Sequence, residues 1–218
     1  MANNNRAISI QSPDDLSKYR VNRPGQLEVL RQSLYDFQVY AQAGQTSLVF
    51  FQVPISGTKT EADTNMVLAG QLPAGQQFLA QSLEVYFFPG TVLPGTGPVA
   101  NVIDAFINDV WAVYKGGWVK FKIGSKDYLQ EAPIGRMPPK TRLDGWSSEN
   151  GNTTAAAALY TRTSYASPAG RPYPIDPYVL LESTQNFVVA LNWPVAVAVT
   201  NAGRIGVILD GLLIRNSQ

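Results

Sequence analysis

The sequence predicts an all-β protein, a jelly-roll β-sandwich of about eight to ten strands with one inserted helix near residues 99–115. Three observations support this prediction. Short stretches of alternating apolar and polar residues recur along the 218-residue chain, as expected for strands with one buried face. Eighteen glycines and fifteen prolines supply turns between them. Charged residues make up only 15% of the chain, so less of its surface is left to solvated charge than in a typical domain.

The first 34 residues are predicted to form an N-terminal segment with a short helix. Residues 12–14 read Ser-Pro-Asp, which is typical of a helix start because serine caps the first turn and proline fits its first position. The Pro-Gly pair at 24–25 interrupts this helix. Three leucines then continue with helical spacing: Leu27, Leu30 and Leu34.

Residues 35–218 are predicted to form the jelly-roll domain. Alternation or β-rich composition indicates strands at 35–41, 46–53, 78–88, 118–123, 128–129, 178–182, 187–193, 195–200 and 205–214. The sequence Asn-Ala-Gly at 201–203 predicts a hairpin turn between the last two strands. Two long loops, 54–76 and 132–175, separate the strands. A structureless segment as long as 132–175 is commonly functional, so we expect this extended loop to reach neighbouring subunits.

Six apolar residues form one wide stripe at helical spacing in the middle of the chain. They are Ile103, Phe106, Ile107, Val110, Trp111 and Tyr114. Pro98 lies near the start of the stripe and a Gly-Gly pair follows it at 116–117, as expected at the two ends of a helix. We therefore expect one helix near 99–115.

The chain contains neither histidine nor cysteine. Histidine is the usual general base and metal ligand at neutral pH, and cysteine is the usual thiol nucleophile. We therefore predict no enzymatic activity, no cofactor and no metal site. Ser56 and Lys59 have the spacing of serine–lysine acyl-transfer sites. They lie in a glycine-containing loop with no helical stripe after it, so a chance match is the better interpretation.

Positive charge is concentrated between residues 115 and 142, where seven lysines and arginines accompany two acids. Such a patch suits a polyanion or an acidic neighbouring subunit, or is a solvated strand face. Aromatic residues on the long loop can anchor an interface, stack on sugars, or cap the ends of the sandwich. The predicted inter-subunit contacts combine both groups: Lys120, Lys122, Arg136, Lys140, Arg142, Trp146, Tyr160, Tyr165 and Tyr173.

Four segments taken together resemble the jelly-roll coat proteins of tailless icosahedral bacteriophages. They are Phe50-Phe51-Gln52-Val53-Pro54, Gly70-Gln71-Leu72-Pro73, the helix at 103–114 between strands, and Thr184-Gln185-Asn186-Phe187-Val188-Val189. The resemblance covers most of residues 35–215 and implies a major capsid subunit that self-assembles into an icosahedral shell. Its implied partners are copies of itself, as trimers or larger assemblies, and other virion proteins. The implied location is the virion, after synthesis in the host cytoplasm.

The resemblance leaves open what lies beneath the shell. Coat proteins that package RNA usually carry an arginine-rich arm, and this sequence contains none. Contact with a genome and contact with an underlying lipid layer therefore both stay open. Coat proteins of this kind often place two jelly rolls in one chain, whereas a chain of this length favours one roll or a very compact pair.

Two other functions remain open from the sequence. The first is a carbohydrate- or receptor-binding jelly-roll module of a virion spike or fibre, with the four aromatic residues of the long loop lining a glycan site. The second is an enzyme that works through aspartate and glutamate alone, such as a jelly roll that degrades polysaccharides. The shell subunit is the main prediction because low charge, long loops and the missing catalytic residues all fit a surface that meets neighbours.

Overall fold

The computed structural model describes residues 27–90, 102–140, 145–153, 158–166 and 170–216, with the backbone alone at 102–107, 145–153 and 158–166. These residues form eleven strands and one α-helix. In chain order they are β1 (Leu27–Arg31), β2 (Leu34–Tyr40), β3 (Ser47–Phe50), β4 (Gln76–Phe88), α1 (Val102–Gly116), β5 (Trp118–Ile123), β6 (Lys126–Glu131), β7 (Gly145–Thr153), β8 (Ala158–Ala166), β9 (Tyr173–Glu182), β10 (Phe187–Asn192) and β11 (Gly203–Asn216). A short 3-10 helix covers Ile134–Arg136.

Eight of the strands form a jelly roll. The β11 sheet has the order β1-β11-β4-β9, with β2 also paired to β11, and the β10 sheet has the order β3-β10-β5-β6. The antiparallel pairs β5–β6, β4–β9, β3–β10 and β2–β11 enclose one another along the chain and alternate between the two sheets. This nesting is that of a long hairpin rolled into a sandwich, which defines a jelly roll. The predicted all-β sandwich with one inserted helix is confirmed.

The inner faces of the two sheets form one hydrophobic core. On β5, Val119 and Phe121 are fully buried while Lys120 and Lys122 lie on the other face, as the alternation in the sequence predicts. Near one end of the core, the Tyr40 ring lies 5.4 Å from the ring of Phe87 and 5.7 Å from that of Trp193, both edge-on. Each large side chain buried in this way contributes about 1.5–3 kcal/mol to folding.

The helix closes one side of the sandwich. The Tyr114 hydroxyl donates a hydrogen bond to the Val85 carbonyl at 2.7 Å, and the Trp193 indole N–H donates to the Val113 carbonyl at 3.0 Å. Residues 134–137 continue the sheet edge beyond β9, because the Val85 N–H donates to the Met137 carbonyl at 2.9 Å. The helix was expected near 99–115, and its observed bounds match closely.

Among the three stripe residues whose side chains the structure describes, one departs from the predicted stripe. Trp111 is 68% exposed, whereas Val113 and Tyr114 are buried and Val110 packs against the core. The buried face is therefore rotated toward 109–110 and 113–114. The hydrogen bonds of Tyr114 and Trp193 fix this rotation, and the helical spacing of apolar residues cannot indicate such partners.

The leucines at 27–34 form strands, so the expected helical spacing there is wrong. Leu27 to Arg31 pair with residues 212–216 of β11, and Leu34 begins β2. The 14-residue β11 is twice as long as β2, so it offers a free ladder on which β1 can pair. Tertiary pairing of this kind overrides local propensity. The helix expected after residues 12–14 lies outside the described residues.

The strand expected at 195–200 and the hairpin at 201–203 are also wrong. β10 and β11 belong to different sheets, and residues 193–202 connect them. This connection is held to the β2–β3 turn instead of to a partner strand. The Val199 N–H donates to the Gln42 carbonyl at 2.9 Å, and the Tyr40 hydroxyl donates to the Val197 carbonyl at 2.7 Å.

Of the two predicted long loops, one contains regular secondary structure and the other does not. The segment 132–175 is not structureless, because it holds the 3-10 helix, an antiparallel hairpin of β7 and β8, and the start of β9. Its polar and small residues hide the alternation by which strands are recognised. The segment 54–76 carries only isolated bridges before β4 begins at Gln76. The strand expected at 46–53 ends early at Phe50, because Phe51 has a φ of 70° and turns the chain.

Candidate interaction surfaces

The predicted lysine contacts on β5 lie on the outer face of the β10 sheet. Lys122 pairs with Asp127 at 3.1 Å, and the two side chains are 39% and 41% exposed. An ion pair this exposed contributes little to stability. Lys120 is half-buried on the same face. Of the two predicted lysine contacts on β5, Lys120 is the one that stays available to a neighbouring chain. Arg142 lies outside the described residues.

Arg136 and Tyr173 contact each other within the chain. The Arg136 guanidinium lies 5.5 Å from the centre of the Tyr173 ring and forms an ion pair with Glu131. The Tyr173 hydroxyl donates a hydrogen bond to Glu131 Oε1 at 2.9 Å, and burial together with the Glu131 carboxylate raises the pKa of Tyr173. Glu131 ends β6 and Tyr173 begins β9, so this cluster joins the two sheets at their edges.

Lys140 is held on the outer face of the β11 sheet. Its ammonium donates a hydrogen bond to Asp210 Oδ2 at 2.7 Å, and its backbone N–H donates to Glu84 Oε2 at 2.7 Å. Asp210 also accepts hydrogen bonds from Arg31 at 3.1 Å and Ser33 at 3.0 Å. Burial acts to raise the pKa of Asp210, but these donors and cations outweigh it, so the pKa is lowered. Lys140 therefore anchors the chain at the root of the β7–β8 hairpin.

The three remaining aromatic candidates lie in the β7–β8 hairpin. Trp146 and Tyr165 are direct partners in its register, and Tyr160 is paired with Gly151 farther along. Within the described residues the hairpin pairs with no third strand. Its root is fixed where the Gly170 N–H donates to the Pro139 carbonyl at 3.0 Å. The structure thus brings Trp146 and Tyr165 together, while the fourth aromatic, on β9, is already held within the chain.

The outer face of the β11 sheet carries a second set of aromatic residues. This aromatic face consists of Tyr35, Phe37 and Val39 on β2 and Tyr86 and Phe88 on β4. The Phe37 ring lies 6.2 Å from Tyr86 and 6.3 Å from Phe88, measured between ring centres. Val39 is 68% exposed. Apolar groups on both faces of a sheet indicate that something covers the outer one.

A glycine makes room for this aromatic face. Gly206 on β11 lies beneath Phe37, and a Cβ atom there would come within 2.0 Å of the ring. The guanidinium carbon of Arg204 lies 4.7 Å from the Phe37 ring centre, and Arg204 pairs with Asp63 at 2.9 Å. The aromatic rings therefore pack against one another, and the Arg204–Asp63 ion pair lies at their border.

The loop between β3 and β4 exposes a further apolar surface. This loop patch consists of Val53, Ile55, Val67 and Leu68, which are 41–63% exposed. The Ile55 N–H donates to the Met66 carbonyl at 2.9 Å, so the outgoing and returning halves of the loop lie side by side. Met66 beneath them is buried. A set of aliphatic side chains fixed at the surface in this way is typical of an interaction site.

Sequence reasoning missed both surfaces as sites. Tyr35, Phe37 and Val39 do alternate, but the pattern does not show which face of β2 points outward. Residues 86–88, with aromatic groups on both faces of one strand, carry the signal that could have located the aromatic face. The loop patch is scattered over sixteen positions, and only the pairing of the two loop halves assembles it.

Three of the described edge strands, β3, β6 and β9, are poorly suited to pairing with a further strand. β9 carries Pro174 and Pro177, and β6 has charged residues at Lys126, Asp127 and Glu131. β3 is only four residues long. Short strands, prolines and charges are the usual ways of protecting an edge from edge-to-edge pairing. These three strands therefore offer a partner chain little opportunity to pair, and faces and loops are the surfaces left for contact.

Neither a metal site nor a membrane-crossing helix is found in the described part of the chain. No group of three or more acidic side chains there is placed to hold a metal ion. No helix there has the length and apolar character that crossing a bilayer requires. Comparison of the chain with family models, with curated proteins and with solved structures gives no match.

Proposed function

We propose that the chain is a structural protein that assembles with copies of itself, as the major coat subunit of an icosahedral virion. The observation that carries this proposal is the apolar surface left outside a filled sandwich. The core between the sheets is complete, yet the aromatic face and the loop patch point outward. All four side chains of the loop patch are at least 41% exposed, and Val39 of the aromatic face is 68% exposed. Exposed apolar side chains grouped in this way indicate contact with a partner.

The architecture suits lateral assembly. A jelly roll is a stiff two-layered body, and three of its described edge strands, β3, β6 and β9, are short, charged or interrupted by proline. Such a body meets its neighbours through faces and loops without growing into an open sheet. The proposed partners are copies of the chain, as trimers or larger assemblies, and other virion proteins. The proposed location is the virion, after synthesis in the host cytoplasm.

Size-exclusion chromatography combined with electron microscopy tests this proposal. The purified chain is expected to form closed or sheet-like particles, or trimers that build them. Val67→Asp places a charge in the loop patch and is expected to reduce particle formation by about tenfold or more, since burying an unpaired charge is costly. Val195→Asp is the matched control, because Val195 is similarly exposed, at 71% against 63% for Val67, but lies outside both surfaces. If both variants assemble equally well, the loop patch is not part of the interface.

A receptor- or carbohydrate-binding module is the second candidate. The observation in its favour is the register pairing of Trp146 with Tyr165 in the β7–β8 hairpin, since adjacent aromatic residues can stack on sugars. Replacing residues 146–165 by a short Gly-Ser linker distinguishes the candidates. The sandwich is expected to stay folded and assembly to be impaired. Glycan binding by a discrete monomer or trimer, lost in this deletion, would favour the binding module instead.

A further inference from the structure

A fully buried carboxylate lies at the centre of β2. The Asp36 side chain is 1% exposed and belongs to a sheet strand, where a charge is costly without partners. Two points of the β3–β4 loop supply those partners. The Lys59 ammonium forms an ion pair with Asp36 Oδ1, and the Phe51 N–H donates a hydrogen bond to Oδ2 at 2.6 Å. One carboxylate thus holds both the start and the tip of the loop.

The returning half of the same loop covers the free edge of β2. β11 occupies the other side of this strand. On the free side, the Phe37 N–H donates to the Asp63 carbonyl at 2.7 Å, and the Thr64 hydroxyl donates to the Tyr35 carbonyl at 3.0 Å. The Asn65 side chain also accepts a hydrogen bond from the Tyr35 N–H at 3.0 Å. The backbone groups that a foreign strand would need are therefore occupied.

The ion pair is the deepest contact between the loop and the strand. The Lys59 side chain is only 12% exposed, so both charges are removed from water. Burial raises the pKa of Asp36 even though Lys59, the Phe51 N–H and Thr64 all act to lower it. Arg204 supplies a second, outer contact through Asp63 and the Ala62 carbonyl. Asp36 has no second cation among the described ion pairs, so without Lys59 its ionised carboxylate would be buried without a countercharge.

We propose that Asp36 and Lys59 form a latch that keeps the free edge of β2 closed to strands of other chains. When the latch opens, the Phe37 N–H and the Tyr35 carbonyl lose their partners. An unpaired edge of this kind binds an extended segment by continuing the sheet. Since the proposed function brings copies of this chain together, the segment that the closed edge excludes is an extended segment of a second copy. The latch goes beyond the proposed function, because it acts on a single chain before any shell forms.

Amide hydrogen exchange at Phe37 tests the latch. Lys59→Met removes the countercharge but keeps a long apolar side chain, and the Phe37 amide is expected to exchange at least about tenfold faster than in the wild type, because breaking a buried pair is strongly destabilising. Lys122→Met is the matched control, since it breaks an exposed pair on the other sheet. An unchanged Phe37 exchange rate in folded Lys59→Met would overturn the proposal.

A second variant covers the case in which Lys59→Met does not fold. The double variant Asp36→Leu, Lys59→Met replaces both charges by apolar groups, which buried pairs often tolerate. It lacks the acceptor for the Phe51 N–H, so Phe37 exchange is again expected to be faster than in the wild type, and an equal rate overturns the latch.

Sedimentation of the same samples distinguishes failure of the latch from failure of the proposed self-assembly. A wild-type monomer with a protected Phe37 amide would refute assembly and leave the latch standing.

Discussion

Two carboxylates on paired strands each bind a lysine, but in opposite surroundings. Asp36 lies on the inner side of β2 and has one cationic partner, Lys59. Asp210 lies on the outer side of β11, where Lys140, Arg31 and Ser33 all donate to it. The pKa of Asp36 is raised because burial dominates, whereas the pKa of Asp210 is lowered because its donors outweigh burial. Each carboxylate has three groups that favour its charged form, so the presence of a lysine does not decide the direction of the pKa shift. The difference lies in deeper burial at Asp36, whose side chain is 1% exposed against 10% at Asp210, and in the second cation at Asp210.

This difference assigns different roles to the two sites. Asp210 has several partners on the outer face and joins β11 to the end of β1, to Ser33 and to the root of the β7–β8 hairpin. Asp36 has one cationic partner among the described ion pairs and holds the loop that carries the loop patch from inside the sandwich. Losing one partner is therefore expected to be mild at Asp210 and severe at Asp36.

The largest expected effect is that of Lys59→Met. This variant leaves the Asp36 carboxylate buried without a cation, and the free energy of unfolding is expected to fall by about 3–5 kcal/mol. Urea denaturation followed by tryptophan fluorescence measures it. A loss below about 1 kcal/mol, the size of a surface ion pair, would show that the latch is not buried in solution.

The pH dependence of stability is expected to have opposite signs at the two sites. A raised pKa at Asp36 gives stability that is present below the ordinary value of 3.8 and is lost as pH rises through the folded value. A lowered pKa at Asp210 gives stability that is present above 3.8 and is lost as pH falls through the folded value.

Denaturation of Asp36→Asn and Asp210→Asn from about pH 3 to pH 7 checks these signs. On acidification, the stability of the wild type relative to Asp36→Asn is expected to grow. Its stability relative to Asp210→Asn is expected to shrink. Slopes of the same sign for both variants would contradict the comparison.

A smaller effect is expected for Lys140→Met. Asp210 keeps Arg31 and Ser33 as donors, and the Lys140 side chain is 43% exposed, so the loss is expected to be about 0.5–1 kcal/mol. The same denaturation experiment measures it. A loss as large as that of Lys59→Met would mean that the donors at Asp210 act as one unit and are not redundant.

The smallest expected effect is that of Lys122→Met on the outer face of the β10 sheet. Both partners of this pair are about two-fifths exposed, so the change in unfolding free energy is expected to stay within about 0.5 kcal/mol. A larger loss would show that the face is covered in the assembled protein, and dilution to the monomer would then abolish the loss.

The strands of the jelly roll could be predicted where one face is apolar and the other charged. β5 is the clearest case, because Lys120 and Lys122 alternate with buried residues. The prediction failed where pairing between distant segments decides the structure. β1 exists because β11 is long enough to receive it, and the connection at 193–202 is held by Tyr40 and Gln42.

The latch and the loop patch could not be derived from the sequence. In β2, Asp36 and Gln38 alternate with Tyr35 and Phe37, so the charged residue would ordinarily be placed outside. The structure places the aspartate inside because Lys59, twenty-three positions later, supplies the countercharge. Because Asp36 points inward, its neighbours Tyr35 and Phe37 point outward and form part of the aromatic face. A short-range pattern contains no information on a partner at that separation.

Sedimentation velocity of the purified chain at about 0.1 M and about 1 M salt tests the central claim most directly. Among the described residues, Lys122, Arg136 and Lys140 have partners within the chain, and the proposed contacts are apolar. Large assemblies or trimers are therefore expected at both salt concentrations. A single monomeric boundary at both, up to the highest protein concentration, would contradict self-assembly through the aromatic face and the loop patch.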